Sequence, residues 1–275
     1  MKLSSIEIVS IICVVYGTER KNALDLRASE SLMHLKTCLT RISNMQALIF
    51  AGGYGKRLRP LTNKLPKPLL RVGGKPIIDW QISWLNSFGV DSFVILCGYL
   101  KNKIIKDLDP LGKRMGIDIE YCIEKKPLGT GGALKNAERC AKEKEFFVIN
   151  GDVITNMDLG VLKLGSSVAA LALTPLKSTF GVVRTRNAKI ERFDEKPLLP
   201  GYWINAGAYL MNKRIFNYLP EKGDIEKTAF SALAKKGFLK GVKYGSCYWH
   251  SIDSLKDLEE VDSEVSAELF NKEKR

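Results

Sequence analysis

Residues 47–70 read ALIFAGGYGKRLRPLTNKLPKPLL, and the rest of the chain can be worked out from them. A short apolar run, Ala47–Phe50, leads into a glycine-rich turn at Gly52, Gly53 and Gly55. Two cations follow, Lys56 and Arg57, and the stretch closes on Pro66-Lys67-Pro68. This pattern predicts a buried strand feeding a loop whose backbone can approach a phosphate. A Walker loop needs Ser or Thr after its lysine, but here Gly55-Lys56 is followed by Arg57. The dinucleotide fingerprint fits Gly53-Tyr54-Gly55 and then meets Leu58 where its third glycine belongs. A plain tight turn would also use glycine, but Arg57 and Lys67 beside it argue for an anion. Proline on both sides of Lys67 stiffens its backbone, as suits a cation that must be held in place. Lys56 reads as a solvated loop residue.

Beyond this stretch the chain alternates strand and helix. Lys75–Phe88 repeats apolar residues at helical spacing, with Gly89 as a stop. Ser92–Cys97 and Glu145–Asn150 are continuous apolar runs, as expected of strands buried on both faces. Between them lie a short helix at Leu100–Leu108, an alternating strand at Ile117–Ile123 and an alanine-rich helix at Gly131–Lys142. The rhythm predicts an α/β fold: a doubly wound, mostly parallel, Rossmann-like sheet with right-handed crossovers. Ligands bind beyond the carboxyl ends of such strands, where the glycine turn, Cys97-Gly98-Tyr99 and Gly151-Asp152 all fall. The second half is less regular. Strands are expected at Val168–Thr174, Gly181–Arg184 and Gly201–Met211, and helices at Lys213–Leu219, Ile225–Lys236 and Ser254–Phe270. No repeat or long linker interrupts residues 45–275, so they are expected to form one domain.

The chain has 275 residues, enough for a sizeable core. Its net charge of +13 is high, and raises the question of nucleic acid or an anionic small molecule. The basic residues are scattered, with no zinc-finger spacing and no aromatic-plus-basic RNA signature, so no nucleic-acid partner is expected. The six cysteines form no CxxC pair, which reads as reduced thiols in a cytoplasmic protein. Two histidines, His34 and His250, give a His-based zinc site or a Ser-His relay little material.

Residues 1–44 read differently. Ile6–Gly17 is apolar but carries Glu7 and is far too short to span a bilayer. It offers a signal-peptide core behind Lys2, but the n-region is weak and no clean cleavage site follows. The functional domain is expected to begin near Met45, with residues 1–44 a poorly ordered extension or an upstream reading of the gene.

AGGYGKRLRPLTNKLPKPLL resembles the signature GGxGxRLxPLTxxxPKPLL of the nucleoside-diphosphate-sugar pyrophosphorylases, the sugar-1-phosphate nucleotidyltransferases. The likeness continues through Pro127–Leu134 (PLGTGGAL), Asn150-Gly151-Asp152-Val153, Phe193–Pro197 (FDEKP) and Ile204–Gly207 (INAG), and so covers Met45 to about Leu258. The short remainder implies that the carboxyl-terminal β-helix of some relatives is absent.

The resemblance implies a reaction between an NTP and a sugar 1-phosphate that yields a nucleotide-sugar and pyrophosphate. Positioning and charge neutralisation would then matter more than a protein nucleophile. It assigns Arg57 to the triphosphate, Lys67 to the reacting phosphates and Asp152 to Mg2+. Leu48, Ala51, Gly52, Gly53, Gly55, Gly98, Tyr99, Gly129 and Thr130 would bind the nucleotide. Gly181, Glu195, Lys196, Asn205 and Gly207 would bind the sugar phosphate. Relatives often carry WxDxGTPEDL near the end, with the Asp as a second metal ligand. Here Ser251 holds that position and Asp253 replaces the glycine. Positions two apart share a face on a strand, so Asp253 would serve as a ligand only with a small shift. The preferred substrates are GTP and mannose 1-phosphate. The alternatives are a thymidylyl- or uridylyltransferase for glucose 1-phosphate, or a non-catalytic nucleotide-sugar-binding subunit. No membrane partner is expected, and the reading leaves room for a homo-oligomer.

Overall fold

The computed structural model describes residues 45–268. The expectations for residues 1–44, and the last residues of the helix expected to end at Phe270, lie outside the described residues.

The apolar runs form the strands predicted for them. β1 (Gln46–Ala51), β4 (Ser92–Cys97), β5 (Asp118–Ile123) and β6 (Glu145–Ile149) run parallel, with β1 between β4 and β6. β8 (Ala169–Lys177), β11 (Leu198–Asn212) and β12 (Leu239–Lys243) complete a seven-stranded sheet of order β12-β8-β11-β6-β1-β4-β5. β11 is antiparallel to both of its neighbours, and β12 is parallel to β8. From β1 the chain builds outward through β4 and β5, then returns to the other side of β1 at β6. β1 is therefore the switch point, and a crevice opens at its carboxyl end.

Period-two alternation sorts the strand residues onto two cores. Ala47, Ile49, Phe93, Ile95, Phe147 and Ile149 face one side and pack with Ile78, Ile82 and Leu85 of α1 (Ile77–Ser87) and Ile104, Leu108 and Leu111 of α2 (Lys101–Met115). Leu48, Val94, Leu96, Phe146 and Val148 face the other side. They meet Leu134 of α3 (Gly129–Asn136), Ile215 and Phe216 of a 3₁₀ segment, and Leu233 of α4 (Ser231–Lys235). Burying each such large side chain contributes about 1.5–3 kcal/mol. A third cluster joins Leu58, Leu70, Val72, Ile77, Ile154 and Ile252 to Val261 and Val265 of α5 (Leu255–Glu268). That cluster ties the segment after the glycine turn to the far end of the chain.

Some elements depart from the sequence-based reading. α2 runs through Pro110 to Met115 instead of stopping at Leu108. Proline removes one helix hydrogen bond there, but Leu111 and Gly112 continue the buried stripe, and Gly116 in the left-handed region ends the helix. α3 starts earlier and ends sooner than expected, at Asn136. The region expected as one helix at Ile225–Lys236 is a π turn, Glu226–Phe230, followed by the short α4. The helix expected at Lys213–Leu219 is 3₁₀ over Lys213–Asn217. β9 (Val182–Arg186) pairs only with β10 (Lys189–Asp194), a strand whose interleaved charges hid it from the sequence reading. Short ribbons join β2 (Arg71–Val72) to β3 (Lys75–Pro76), and β7 (Val153–Thr155) to β13 (Trp249–Ser251).

Candidate active site

A cavity of about 350 Å³ opens where β1 ends. Ala51, Gly52, Gly53 and Tyr54 form one wall, Lys67 and Pro68 another, and Asn150-Gly151-Asp152 a third. Glu124, Pro127, Gly129, Thr130 and Asp224 close the remaining side.

Local chain chemistry fixes each wall. Pro66 is extended, and Lys67–Leu69 makes one turn of 3₁₀ helix held by Leu69 N–H to Pro66 O (2.9 Å) and Leu70 N–H to Lys67 O (3.0 Å). Leu69 turns into the core, while Lys67 and Pro68 face the cavity, with Lys67 supplying the charge. Gly151 lies directly under β1, so a Cβ there would collide with the Phe50 carbonyl oxygen. This close approach sets the height of the neighbouring Asp152. The Asn150 N–H donates to Gly207 O at 2.8 Å, which joins the turn to β11.

Asp152 and Asp253 converge on one cation. Lys67 Nζ lies 2.8 Å from Asp152 Oδ2 and 3.1 Å from Asp253 Oδ1. Arg57 Nη2 also reaches Asp253 Oδ1, at 2.9 Å, from an exposed position. The β7–β13 ribbon sets Ser251 opposite Val153, and the Ile252 N–H donates to Asp152 O at 2.9 Å. The strand ends at Ser251, so Asp253 does not sit two places along it. It enters from the turn before α5, with its N–H donating to Asp257 Oδ2 (2.9 Å). Ser251 Oγ donates to Asp253 Oδ2 at 3.1 Å. Burial pushes the Asp253 carboxyl up, but Lys67, Arg57 and the Ser251 hydroxyl together outweigh it and hold the group below its ordinary value.

The residues expected around the nucleotide divide into two sets. Ala51, Gly52, Gly53, Gly129 and Thr130 line the cavity. Gly55 supports it from behind, its carbonyl accepting from Thr62 Oγ1 at 2.8 Å. Leu48 is not part of the cavity, because β1 alternation buries it completely in the core beside Val94 and Val148. Gly98 and Tyr99 also lie off its lining. The Tyr99 ring packs on Tyr54 at 4.9 Å and its hydroxyl donates to Thr62 O at 3.0 Å, which braces the glycine turn.

The residues expected around the sugar do not line the cavity. Asn205 Nδ2 donates to Tyr209 Oη at 2.8 Å, its Oδ1 accepts from Gly207 N at 3.0 Å, and Gly207 O accepts from the Asn150 N–H of the cavity wall at 2.8 Å. Gly181, Glu195 and Lys196 lie off the cavity lining. They flank the separate β9–β10 ribbon, with the Glu195 and Lys196 side chains 65% and 49% exposed and their charged ends 3.7 Å apart. The ribbon pairs with no strand of the main sheet.

The sequence reading missed Glu124. A Cβ on Gly52 would stand 2.5 Å from Glu124 Oε1, so the glycine is what admits this carboxylate to the wall. Leu128 N–H donates to Glu124 Oε2 at 3.2 Å. Burial raises the carboxyl above its ordinary value, and the Leu128 bond only partly opposes this. The one available signal was a lone acid at the end of an apolar strand, just before Pro127-Leu128-Gly129.

Residues 46–268 match the model of a family described as nucleotidyl transferase. The chain belongs to the nucleotidyl transferase family. A mannose-1-phosphate guanyltransferase from Yarrowia lipolytica is 36% identical over 225 residues, which are 78% of this chain and 62% of that protein. This nucleotidyl transferase thus spans less than two thirds of the length of that fungal relative. A D-glycero-alpha-D-manno-heptose 1-phosphate guanylyltransferase from Aneurinibacillus thermoaerophilus is 38% identical over 210 residues, 73% of this chain and 88% of that one. The crystal structure of HddC from Yersinia pseudotuberculosis superposes with a TM-score of 0.64 at 26% identity, covering 80% of this chain and 99% of HddC.

The donor set fits a divalent cation. Two carboxylates already share one positive charge, and hard divalent ions accept few carboxylates when phosphates and waters complete the shell. Among the described residues no group of three or more His, Cys, Asp or Glu is assembled for a fully protein-ligated metal. No helix among the described residues is long and apolar enough to cross a membrane.

Proposed function

We propose that this nucleotidyl transferase joins GTP to mannose 1-phosphate with Mg2+, giving GDP-mannose and pyrophosphate, and that its functional unit begins near Met45. The observation that carries the transfer reaction is Lys67 Nζ placed between Asp152 and Asp253 on the wall of a glycine-lined cavity. The preference for guanine rests on Glu124. A carboxylate accepts from the paired N1–H and amino donors of guanine, whereas the carbonyl edge of uracil or thymine would face it with acceptors. The guanylyltransferase names of the relatives support the same choice.

In this reading a phosphate oxygen of the sugar phosphate attacks the α-phosphorus. A new P–O bond forms, the α–β bridging bond breaks and pyrophosphate leaves. The backbone of Gly52 and Gly53 follows the phosphate chain. Arg57 grips the triphosphate as a planar fork, and Lys67 acts as a point charge on the reacting phosphates. Asp152 and Asp253 would hold Mg2+, which would supply Lewis-acid neutralisation of charge at the phosphates. Asn205 and Gly207 border the sugar. Glu195, Lys196 and Gly181 contact it when the β9–β10 ribbon lies over the crevice.

Pyrophosphate release with Mg2+, four NTPs, and mannose, glucose and heptose 1-phosphates tests the proposal. GTP with mannose 1-phosphate is expected to give the highest kcat/KM. Turnover confined to dTTP or UTP with glucose 1-phosphate would replace this reading. No turnover in any pair would favour a non-catalytic nucleotide-sugar-binding subunit, the alternative prompted by Ser251.

A further inference from the structure

Gln81 is the one polar side chain on the buried stripe of α1, lying among Ile77, Ile78, Ile82 and Leu85 at 1% exposure. Its Nε2 donates to two backbone carbonyls, Asn150 O at 2.7 Å and Val153 O at 2.8 Å. These two carbonyls bracket Gly151-Asp152. The other end of the amide makes no such bond: Gln81 Oε1 is buried and has no hydrogen-bond partner. An orphaned buried acceptor is costly, and a Leu or Met of similar size would avoid that cost. Stability of α1 alone therefore does not account for glutamine. What the amide provides is two N–H donors in one plane, a spacing that matches the two carbonyls.

We infer that Gln81 is a positioning residue for the metal carboxylate: it clamps the Asn150–Val153 turn from beneath and so fixes the height and direction of Asp152. The other supports of the turn act elsewhere. Gly207 O holds the Asn150 N–H, Ile252 N–H holds the Asp152 carbonyl, and Phe50 presses on Gly151. Among the described residues, only Gln81 ties the carbonyls at both ends of the turn to a rigid helix. The neighbouring Trp84 Nε1 extends the same support by donating to Met157 O at 2.9 Å. The inference deepens the proposed function and rests on the metal reading of Asp152. Gln81 does not touch a reactant.

The test uses the full chain with Gln81→Met, which keeps the volume and removes both donors, and Gln81→Glu. Three readouts are needed: Mn2+ binding by electron paramagnetic resonance with a non-hydrolysable GTP analogue, amide exchange across residues 150–153, and steady-state kinetics. For Gln81→Met we expect Mn2+ affinity and kcat each to fall about 10- to 100-fold, the range typical of residues that orient metal ligands. KM for the sugar phosphate should stay within about twofold, since the substrate-facing groups are untouched. Exchange at 150–153 should quicken. Unchanged Mn2+ affinity and kcat in a folded Gln81→Met would overturn the inference.

Should Gln81→Met fail to fold, Gln81→Glu decides. Buried beside two carbonyls, its acid stays neutral and supplies one O–H donor where the amide supplies two. Mn2+ affinity and kcat should therefore fall about threefold or more below wild type, and wild-type values would overturn the clamp. Absence of Mn2+ binding and of turnover in the wild type would sink the proposed function instead. Amide exchange would still report on the clamp in that case, with unchanged exchange in the variant counting against it.

Discussion

Lys67 Nζ stands 2.8 Å from Asp152 Oδ2 and 3.1 Å from Asp253 Oδ1, so a single ammonium bridges the two carboxylates assigned to the metal. On the metal assignment proposed for these carboxylates, the lysine and a divalent ion would compete for the same oxygens, and arriving phosphates would relieve the competition by offering Lys67 other anions.

Lys67→Met separates the two roles of this lysine. Bare Mn2+ should bind the variant more tightly than wild type, while kcat falls by about two orders of magnitude or more, the scale on which a transition-state charge contact acts. Mn2+ titration without nucleotide checks the first part and pyrophosphate release the second. Weaker bare-metal binding in the variant would mean that the lysine does not occupy the seat of the metal.

Asp253 and Ser251 should not be equivalent. Ser251 reaches the site only through its hydroxyl on Asp253 Oδ2, whereas Asp253 meets both Lys67 and Arg57. Ser251→Ala is expected to cost about tenfold or less in kcat/KM, and Asp253→Ala about 10- to 100-fold or more. The folded Asp253 carboxyl lies below its ordinary value of 3.8. Its contribution to stability is thus complete above about pH 3.8 and is lost as pH falls through the lower folded value. Acid unfolding of Asp253→Asn should accordingly depend less on pH in that window than wild type does, which a urea series below pH 4 would show.

Glu124 gives the opposite sign. Burial raises its carboxyl above the ordinary value of 4.5, so it takes up a proton at a higher pH than a free glutamate. The proposed contact with guanine would need the ionised form. kcat/KM for GTP should therefore fall on an acidic limb with its midpoint above 4.5. Glu124→Gln should lose both that limb and much of the preference for GTP over UTP, about 1.4 kcal/mol for each tenfold of discrimination. An acidic limb retained in Glu124→Gln would assign it to another group.

Ile252 couples the core to the site. Its side chain is fully buried in the cluster with Leu58 and Ile154, and its N–H holds the Asp152 carbonyl. Ile252→Ala should destabilise the fold by about 2–5 kcal/mol. It should also lower kcat at temperatures where the protein stays folded, because Asp253 is the next residue. Denaturant melts beside kinetics at 20 °C below the melting midpoint, roughly the margin that a few kcal/mol consumes, would separate the two effects.

The sequence by itself determined the strands β1, β4, β5 and β6, the glycine turn, Lys67 and Asp152. Each is encoded locally, by an apolar run of strand length, by glycine where backbone must come close, or by proline flanking a lysine. It also carried the motif likeness that the family match over residues 46–268 bears out. Tertiary structure alone decided which distant groups meet. Asp253 reaches Lys67, 186 residues earlier in the chain, because the β7–β13 ribbon and the cluster around Ile252 bring the two ends together. Glu124 faces the cavity because Gly52 leaves room for it. Leu48, by contrast, is taken into the core by strand alternation, and the ribbon bearing Glu195 and Lys196 stays apart from the main sheet. Gln81 meets the carbonyls of Asn150 and Val153, a pairing that helical spacing does not encode. No local pattern encodes such pairings, because they depend on where the sheet sets each loop rather than on the residues beside it.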